Sequence, residues 1–342
     1  MKYYGGIEGG ATHSKLIICN EEGEILSTVT GLGTNHWISG IPEVAKRIAD
    51  MIEKGKKEAK INQTTKLISL GLSLSGCEQE ATNSQLRNAL RSKYPDIAEH
   101  YVVCSDTVGS IAAVSAKGGL VLISGTGSNA LLRNPDGSVH GCGGWGNFLG
   151  DEGSAWWVSH RAIKIIFDDM DNFEKSPYPI DKAWELTKEH FSLQNRRDIL
   201  DHCYAKFDKP FFASLCKKLA LAAENDDKLC RYLFNEAGRL LARFVIALLP
   251  KVQKSLVDSG DLRVLCVGSV WLSWKLMREG FINELNNVSI DFGLQMVTPT
   301  NSIAMGPVYL GVDGVNHDFP RNYEANYKLF YTYKQHKQNG CI

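Results

Sequence analysis

Two stretches of this chain, Gly9-Gly-Ala-Thr-His-Ser14 and Ser124-Gly-Thr-Gly-Ser-Asn129, crowd glycines and hydroxyls where an apolar run ends. Glycine lets the backbone approach an anion closely, and oriented amides bind phosphate without any net positive charge. Thr12 and Thr126 would each add a hydroxyl to phosphate oxygens. Glu8, just before the first stretch, suits a Mg²⁺ ion held through water, since Mg²⁺ favours one or two carboxylates plus phosphates. A dinucleotide loop would feed a helix, but the second stretch runs on to Asn134-Pro-Asp-Gly137, a tight-turn signature between strands. Both stretches therefore open hairpins. One such hairpin is no more than a tight turn; a pair suits a nucleotide polyphosphate.

Asp106 ends one apolar run, "YVVCSD", and begins another, "TVGSIAAV". A carboxylate there is either a helix N-cap or a general base at the carboxyl end of a strand, where α/β proteins place ligands. If Ser105 does the capping, Asp106 is free; the residues leave both readings open. Residues 141–157, "GCGGWGNFLGDEGSAWW", hold six glycines between 141 and 153, which are costly to order unless a ligand must come close. Trp145 beside Asp151 suits a sugar, with the ring on the indole and vicinal hydroxyls bidentate on the carboxylate. Asp151-Glu152 read as the start of a helix, with first-turn acids as the bland alternative. "GLGTNHW" (31–37) offers a similar kit in Asn35 and Trp37, with His36 read as a packed or exposed histidine rather than a metal ligand. Cys142 reads as inert without a nearby cation.

The elements that must position these groups follow from periodicity. Strand signals fall at Tyr4–Glu8, Leu16–Cys19, Glu24–Val29, Leu67–Leu74 and Tyr101–Cys104, with helices at 42–60 and 84–94 and a third begun by Ser105-Asp106. The first half reads βββαβαβα. At an offset of 114 residues Thr12 falls on Thr126, Ser14 on Ser128, Asn20 on Asn134 and Gly23 on Gly137, so the opening recurs as a duplication. A helical insertion of about 152–249 follows, then a strand at Arg263–Val267 that runs into Gly-Ser, and "AMGPVYLG" (304–311) as a helix of small residues. Strands alternating with helices imply α/β layers and parallel pairing. Two domains are expected, 1–117 and 118–342, joined near Ala116–Gly119. Lys+Arg and Asp+Glu both number 38, which argues against nucleic acid as a partner. The N-terminus does not read as a signal peptide, and Leu240–Leu249 is too short to span a bilayer. Nine scattered cysteines without a C-x-x-C pair point to reduced thiols in the cytoplasm and away from structural zinc.

Taken in order, "IEGGATHS", "SDTVGSIAAV", "SGTGSN", "CVGSVW" and "SIAMGPVYLG" resemble the two phosphate motifs, two connecting helices and adenosine motif of the sugar kinase, heat-shock and actin ATPase superfamily. Within it, "GLGTNHW", "LGLSLSG", "GGWGNFLGDEGSAWW" and "LCVGSVWLSW" resemble the animal-type N-acetylglucosamine kinase family over nearly the whole chain. The resemblance implies two duplicated RNase H-like domains clasping a central nucleotide cleft. It implies ATP with Mg²⁺ as cofactors and an amino sugar as partner, phosphorylated at its 6-hydroxyl in amino-sugar salvage. Asp106 becomes the base. Asn35, Trp37, Ser128, Asn129, Gly144, Trp145, Gly146 and Asp151 would surround the sugar. Thr12, Thr126, Ala213, Ser269 and Ser273 would contact ATP, Ala213 lying outside the quoted motifs. A homodimer is compatible with the resemblance and not specified by it. The chain departs from the family at Ala11 and Cys77; an Ala11 forced to positive φ would be strained.

Overall fold

The computed structural model describes residues 1–258, 260–300 and 303–335. Cys341 and Ser302, the latter opening the "SIAMG" motif, lie outside them. The first three strands, β1 (Tyr3–Gly9), β2 (His13–Asn20) and β3 (Ile25–Leu32), form an antiparallel meander. A single turn, α1 (His36–Ser39), and α2 (Ile41–Glu58), with Pro in its first turn, lead to β4 (Leu67–Leu74). Then come α3 (Glu80–Lys93), β5 (Ala98–Ser105) and α4 (Asp106–Val114). β4 joins β1 in parallel and β5 joins β4 in parallel, giving the order β3-β2-β1-β4-β5.

The pattern then repeats. A second meander, β6 (Gly119–Ser124), β7 (Ser128–Arg133) and β8 (Val139–Gly143), is followed by α5 (Ala155–Met170), α6 (Asp181–Phe191), α7 (Ile199–Cys203), α8 (Lys209–Glu224) and α9 (Lys228–Leu248). After them come β9 (Asp261–Val267), α10 (Trp274–Leu285), β10 (Gly293–Pro299), α11 (Met305–Asp313) and β11 (Tyr327–Tyr333). The second sheet has the order β11-β10-β9-β6-β7-β8. Read from β8, that is third, second, first, fourth, fifth: the order of the first sheet with one more edge strand. The turns repeat as well. Asn20 accepts from the Gly23 amide and donates its own to Glu24, as Asn134 does with Gly137 and Ser138. Gly23 and Gly137 both sit at positive φ, +80° and +84°. The duplication inferred from the 114-residue offset is thus present in topology and turn geometry. Ala11 is not among the residues at positive φ, so the strain considered for it does not arise.

The helix expected to open at Asp151-Glu152 starts later. Ser154 is the N-cap of α5, its hydroxyl accepting the Trp157 amide at 3.1 Å, and no acid lies in the first turn. Asp151 instead has φ +69° in the preceding turn.

The chain divides into two compact units. One comprises Met1–Val121, Arg133–Ser138 and Met296–Tyr331; the other comprises Leu122–Leu132, Val139–Gln295 and the stretch from Thr332. In the first unit, one sheet face buries Ile7, Leu16, Ile18, Leu70 and Leu72 with Val44, Ile48 and Ile52 of α2 and Leu86 and Leu90 of α3. The opposite face buries Tyr4, Ile17 and Cys19 against Val308 and Val312 of α11. Close approach there rests on glycine: a Cβ on Gly71 would run into the Pro307 backbone, and one on Gly306 into the Gly109 carbonyl. The small-residue helix read from the sequence is α11, and this is what it packs on. Among the described residues no helix is long and apolar enough to cross a membrane.

Candidate active site

In the first unit the chemistry gathers at the carboxyl ends of β1, β4 and β5. Asp106 is the first residue of α4, directly after β5, and is half-buried. Ser105 holds the N-cap position, but its hydroxyl pairs with that of Thr107 at 2.8 Å rather than with a backbone amide. Asp106 is therefore not the cap, and Ser105 does not cap with its side chain either. Ser73 on β4 holds the junction by donating to the Ser105 carbonyl at 3.1 Å. Burial pushes the Asp106 carboxyl up to about 7, the exposed carboxylate of Glu78 adds to the rise, a backbone hydrogen bond from Thr107 opposes it, and Glu8 raises it further. Glu8 is itself pushed up to about 7 by burial, partly offset by Lys15, its partner across β1 and β2. Glu78 was missed from sequence; its only signal is its place just after β4.

Asn35 is the N-cap of α1, accepting the Trp37 amide at 2.9 Å, while its side-chain amide donates to Ser75 at 3.2 Å. The Trp37 indole donates to the Gly76 carbonyl at 3.2 Å and leaves its face exposed. His36 is buried beneath them, its Nδ1 3.9 Å from the Cys77 thiol and its pKa lowered by burial, so it is a neutral packed histidine. Arg47 of α2 pins both ends of this segment, donating to the Gly33 carbonyl at 2.6 Å and the Ser39 hydroxyl at 3.0 Å. Thr12 is exposed in the β1–β2 turn, where the Gly10 amide bonds the His13 carbonyl.

In the second unit the β6–β7 turn is held from behind. Ala155 and Trp156, at the start of α5, donate to the carbonyls of Gly125 and Thr126 at 2.9 and 3.3 Å. Gly268, at φ +110° after β9, has no room for a Cβ against the Ser124 carbonyl, which brings the Ser269–Ser273 turn beside Gly125. Gly125 and Gly268 are thus neighbours, Ser269 is exposed, and Thr126 and Ser273 are half-buried. Ala213 stands apart. It is buried in α8 and its carbonyl accepts the Ser159 hydroxyl at 3.2 Å, so its side chain offers nothing to a nucleotide.

The glycine loop keeps Gly143, Gly144 and Gly146 at positive φ, and Trp145 projects with 73% of its surface exposed. Gly144 packs on the Asn129 amide. Two of the expected sugar contacts have partners within the fold. Ser128 donates its hydroxyl to the Glu152 carbonyl at 2.8 Å and its amide to Asp151 Oδ1 at 3.0 Å. Asp151 is 3% exposed and its Oδ2 lies 2.6 Å from Lys209 Nζ, so it is not open to a bidentate diol. Lys209 had no signal in the sequence. Cys142 is raised by burial, and the eight described cysteines are free thiols.

The profile of the BadF/BadG/BcrA/BcrD ATPase family matches residues 6–292, most of the chain and both repeated meanders. The chain belongs to that family. It is 26% identical to the N-acetylmuramic acid/N-acetylglucosamine kinase of Clostridium acetobutylicum, over 75% of this chain and 83% of that one. It is 21% identical to the N-acetyl-D-glucosamine kinase of Dictyostelium discoideum, over 82% and 87%. The solved structure of a proposed N-acetylglucosamine kinase from Chromobacterium violaceum superposes with a TM-score of 0.71 at 22% identity, covering 91% of this chain and 99% of that one. The α/β fold is therefore that of the solved N-acetylglucosamine kinase-like structure it superposes on.

Proposed function

We propose that this protein transfers the γ-phosphoryl group of ATP to the 6-hydroxyl of N-acetyl-D-glucosamine, giving N-acetylglucosamine 6-phosphate and ADP in amino-sugar salvage. The observation that carries this reading is Asp106, a carboxyl at a strand end that titrates near neutrality. A base of that strength accepts a hydroxyl proton at neutral pH far better than an ordinary aspartate, whose pKa is about 3.9. The names of the two curated relatives support the sugar.

Phosphoryl transfer asks for positioning and charge stabilisation more than for covalent chemistry. Asp106 would accept the 6-hydroxyl proton as the new P–O bond forms. In the first unit Asn35 would orient the sugar, with the exposed Trp37 indole against its apolar side; in the second the exposed Trp145 indole offers a sugar-stacking face of its own. In the second unit the amides of Thr126 and Gly127, with the Thr126 hydroxyl, would hold phosphate oxygens, since those of Gly125 and Ser128 bond the Gly127 carbonyl and Asp151; in the first, Thr12 offers its hydroxyl from the β1–β2 turn. Ser269 and Ser273 would meet the nucleoside. Among the described residues no cluster of three His, Cys, Asp or Glu side chains could hold a metal. A Mg²⁺ ion carried mainly by phosphates and water fits Glu8, whose desolvation Lys15 offsets only in part. That ion would supply charge neutralisation at the transferring group. Free thiols support a cytoplasmic setting.

The test is ADP release with a panel of N-acetylglucosamine, N-acetylmuramic acid, N-acetylmannosamine, glucosamine, glucose and no sugar. N-Acetylglucosamine should be fastest by a wide margin. Equal rates with and without sugar would overturn the kinase reading in favour of a regulatory ATPase.

A further inference from the structure

Asp106 is the first residue of α4, and helix ends fray unless something holds them. No side chain caps this end, because the Ser105 hydroxyl pairs with that of Thr107 instead. What holds the junction comes from the neighbouring strand. The Ser73 hydroxyl of β4 lies 3.1 Å from the Ser105 carbonyl oxygen and 3.4 Å from that of Asp106. Those carbonyls belong to the two peptide units on either side of the Asp106 Cα. A donor shared between them fixes both peptide planes, and the planes together set the direction of the Cα–Cβ bond that carries the carboxyl. Ser110 adds a second hold, its hydroxyl donating to the Asp106 carbonyl at 2.7 Å.

Register and space both put Ser73 in this position. It pairs with Glu8 of β1 on one side and with Cys104 of β5 on the other, at the carboxyl ends of the three strands. It has no exposed surface, and a Cβ on Gly109 of α4 would run into its hydroxyl oxygen, so the helix rests directly on this side chain. Along β4, Ser69, Gly71 and Ser73 face the same way, and the contrast within that row separates size from chemistry. The Ser69 hydroxyl is buried with no hydrogen-bond partner among the described residues, so that position asks only for a small side chain. The Ser73 hydroxyl has partners, and they are the carbonyls that frame Asp106.

We propose that Ser73 is a positioning residue for phosphoryl transfer, aiming the Asp106 carboxyl through the two carbonyls that flank it without touching sugar or nucleotide. This rests on the reading of Asp106 as the base. Steady-state ADP release by the full chain with N-acetylglucosamine, well below the melting temperature, tests it. Ser73→Ala keeps the Cβ on which Gly109 packs and removes the donor. It should lower kcat by about tenfold to a hundredfold, the scale set by a displacement of about 1 Å at reacting groups, with KM for sugar and ATP unchanged. Ser73→Gly/Gly109→Ala moves one methyl group from strand to helix, so the contact stays filled while the hydroxyl is gone. Its kcat should be as low as that of Ser73→Ala. Should Ser73→Ala fail to fold, this exchange carries the same comparison. Recovery of kcat in the exchange would assign the effect to packing and overturn the proposal. A parental kcat in Ser73→Ala, or a loss confined to KM, would do the same and leave the kinase reading intact. Absence of sugar-dependent ADP release from the unsubstituted chain would overturn both.

Discussion

Asp106 carries opposite signs for activity and for stability. Its raised pKa means that a proton occupies it below about pH 7, so kcat/KM for sugar should climb with pH through neutrality. Glu8 shifts to the same value, and the profile will report the pair rather than either residue alone. For stability, a carboxyl raised above its unfolded value of about 3.9 helps fully only below that pKa, and the benefit is lost as pH rises through about 7. Asp106→Asn cannot ionise. It should lower kcat by about 10²- to 10⁴-fold with sugar binding kept. It should also raise Tm at pH 8 relative to the unsubstituted protein, with the difference vanishing near pH 4. Melting curves at the two pH values decide this: an Asn variant no more stable at pH 8 than at pH 4, relative to its parent, would mean that Asp106 pays no desolvation cost. Because Asp106 is not the N-cap of α4, loss of activity in that variant cannot be put down to a lost cap.

At the scale of elements, the β6–β7 turn depends on what backs it. Gly268 separates β9 from the Ser269–Ser273 turn at a φ only glycine takes easily, and a methyl there meets the Ser124 carbonyl and the Gly125 amide. Gly268→Ala should destabilise by about 1–3 kcal/mol and displace the β6–β7 turn. ATP affinity should therefore fall while N-acetylglucosamine affinity holds. Sugar affinity falling in step would show that the two ligands do not divide between these elements. Conversely, Trp145→Ala should weaken the sugar and spare ATP, since the indole is 73% exposed and its loss leaves the backbone bonds that hold the turn in place.

The whole molecule is not two consecutive halves. α11 lies almost two hundred residues beyond α4, yet it covers β1, β4 and α4 within the first unit. A chain cut after Lys117 would bare the face carrying Tyr4, Ile17 and Cys19, and leave Gly71 and Gly109 without the helix that fills their grooves. It should show no cooperative thermal transition. A sharp melt from residues 1–117 alone would mean that the first sheet is stable on one covered face.

The strand and helix order of the first half, the hairpin nature of both Gly/Thr turns, the duplication and the family were legible in the chain itself, whereas α10, β10 and β11 were not. These are local: alternation, turn chemistry at Asn20-Gly23 and Asn134-Gly137, and glycines where backbones must approach. Asp106, Thr126, Asn35 and Trp145 could be named because each sits in such a local signature. What tertiary structure alone decided was which side chains are free. Sequence offered Asp151 and Ser128 to the sugar, and only folding shows that Asp151 is buried against the Ser128 amide, that the Ser128 hydroxyl donates to the Glu152 carbonyl, and that Ala213 is buried in α8. Lys209 and Glu78 have no periodicity or motif to mark them, because a lone charge acquires meaning only from the groups that folding brings beside it. The Asp106 pKa belongs to the same class: desolvation and neighbouring carboxylates are properties of a packed environment, and no spacing along the chain encodes them.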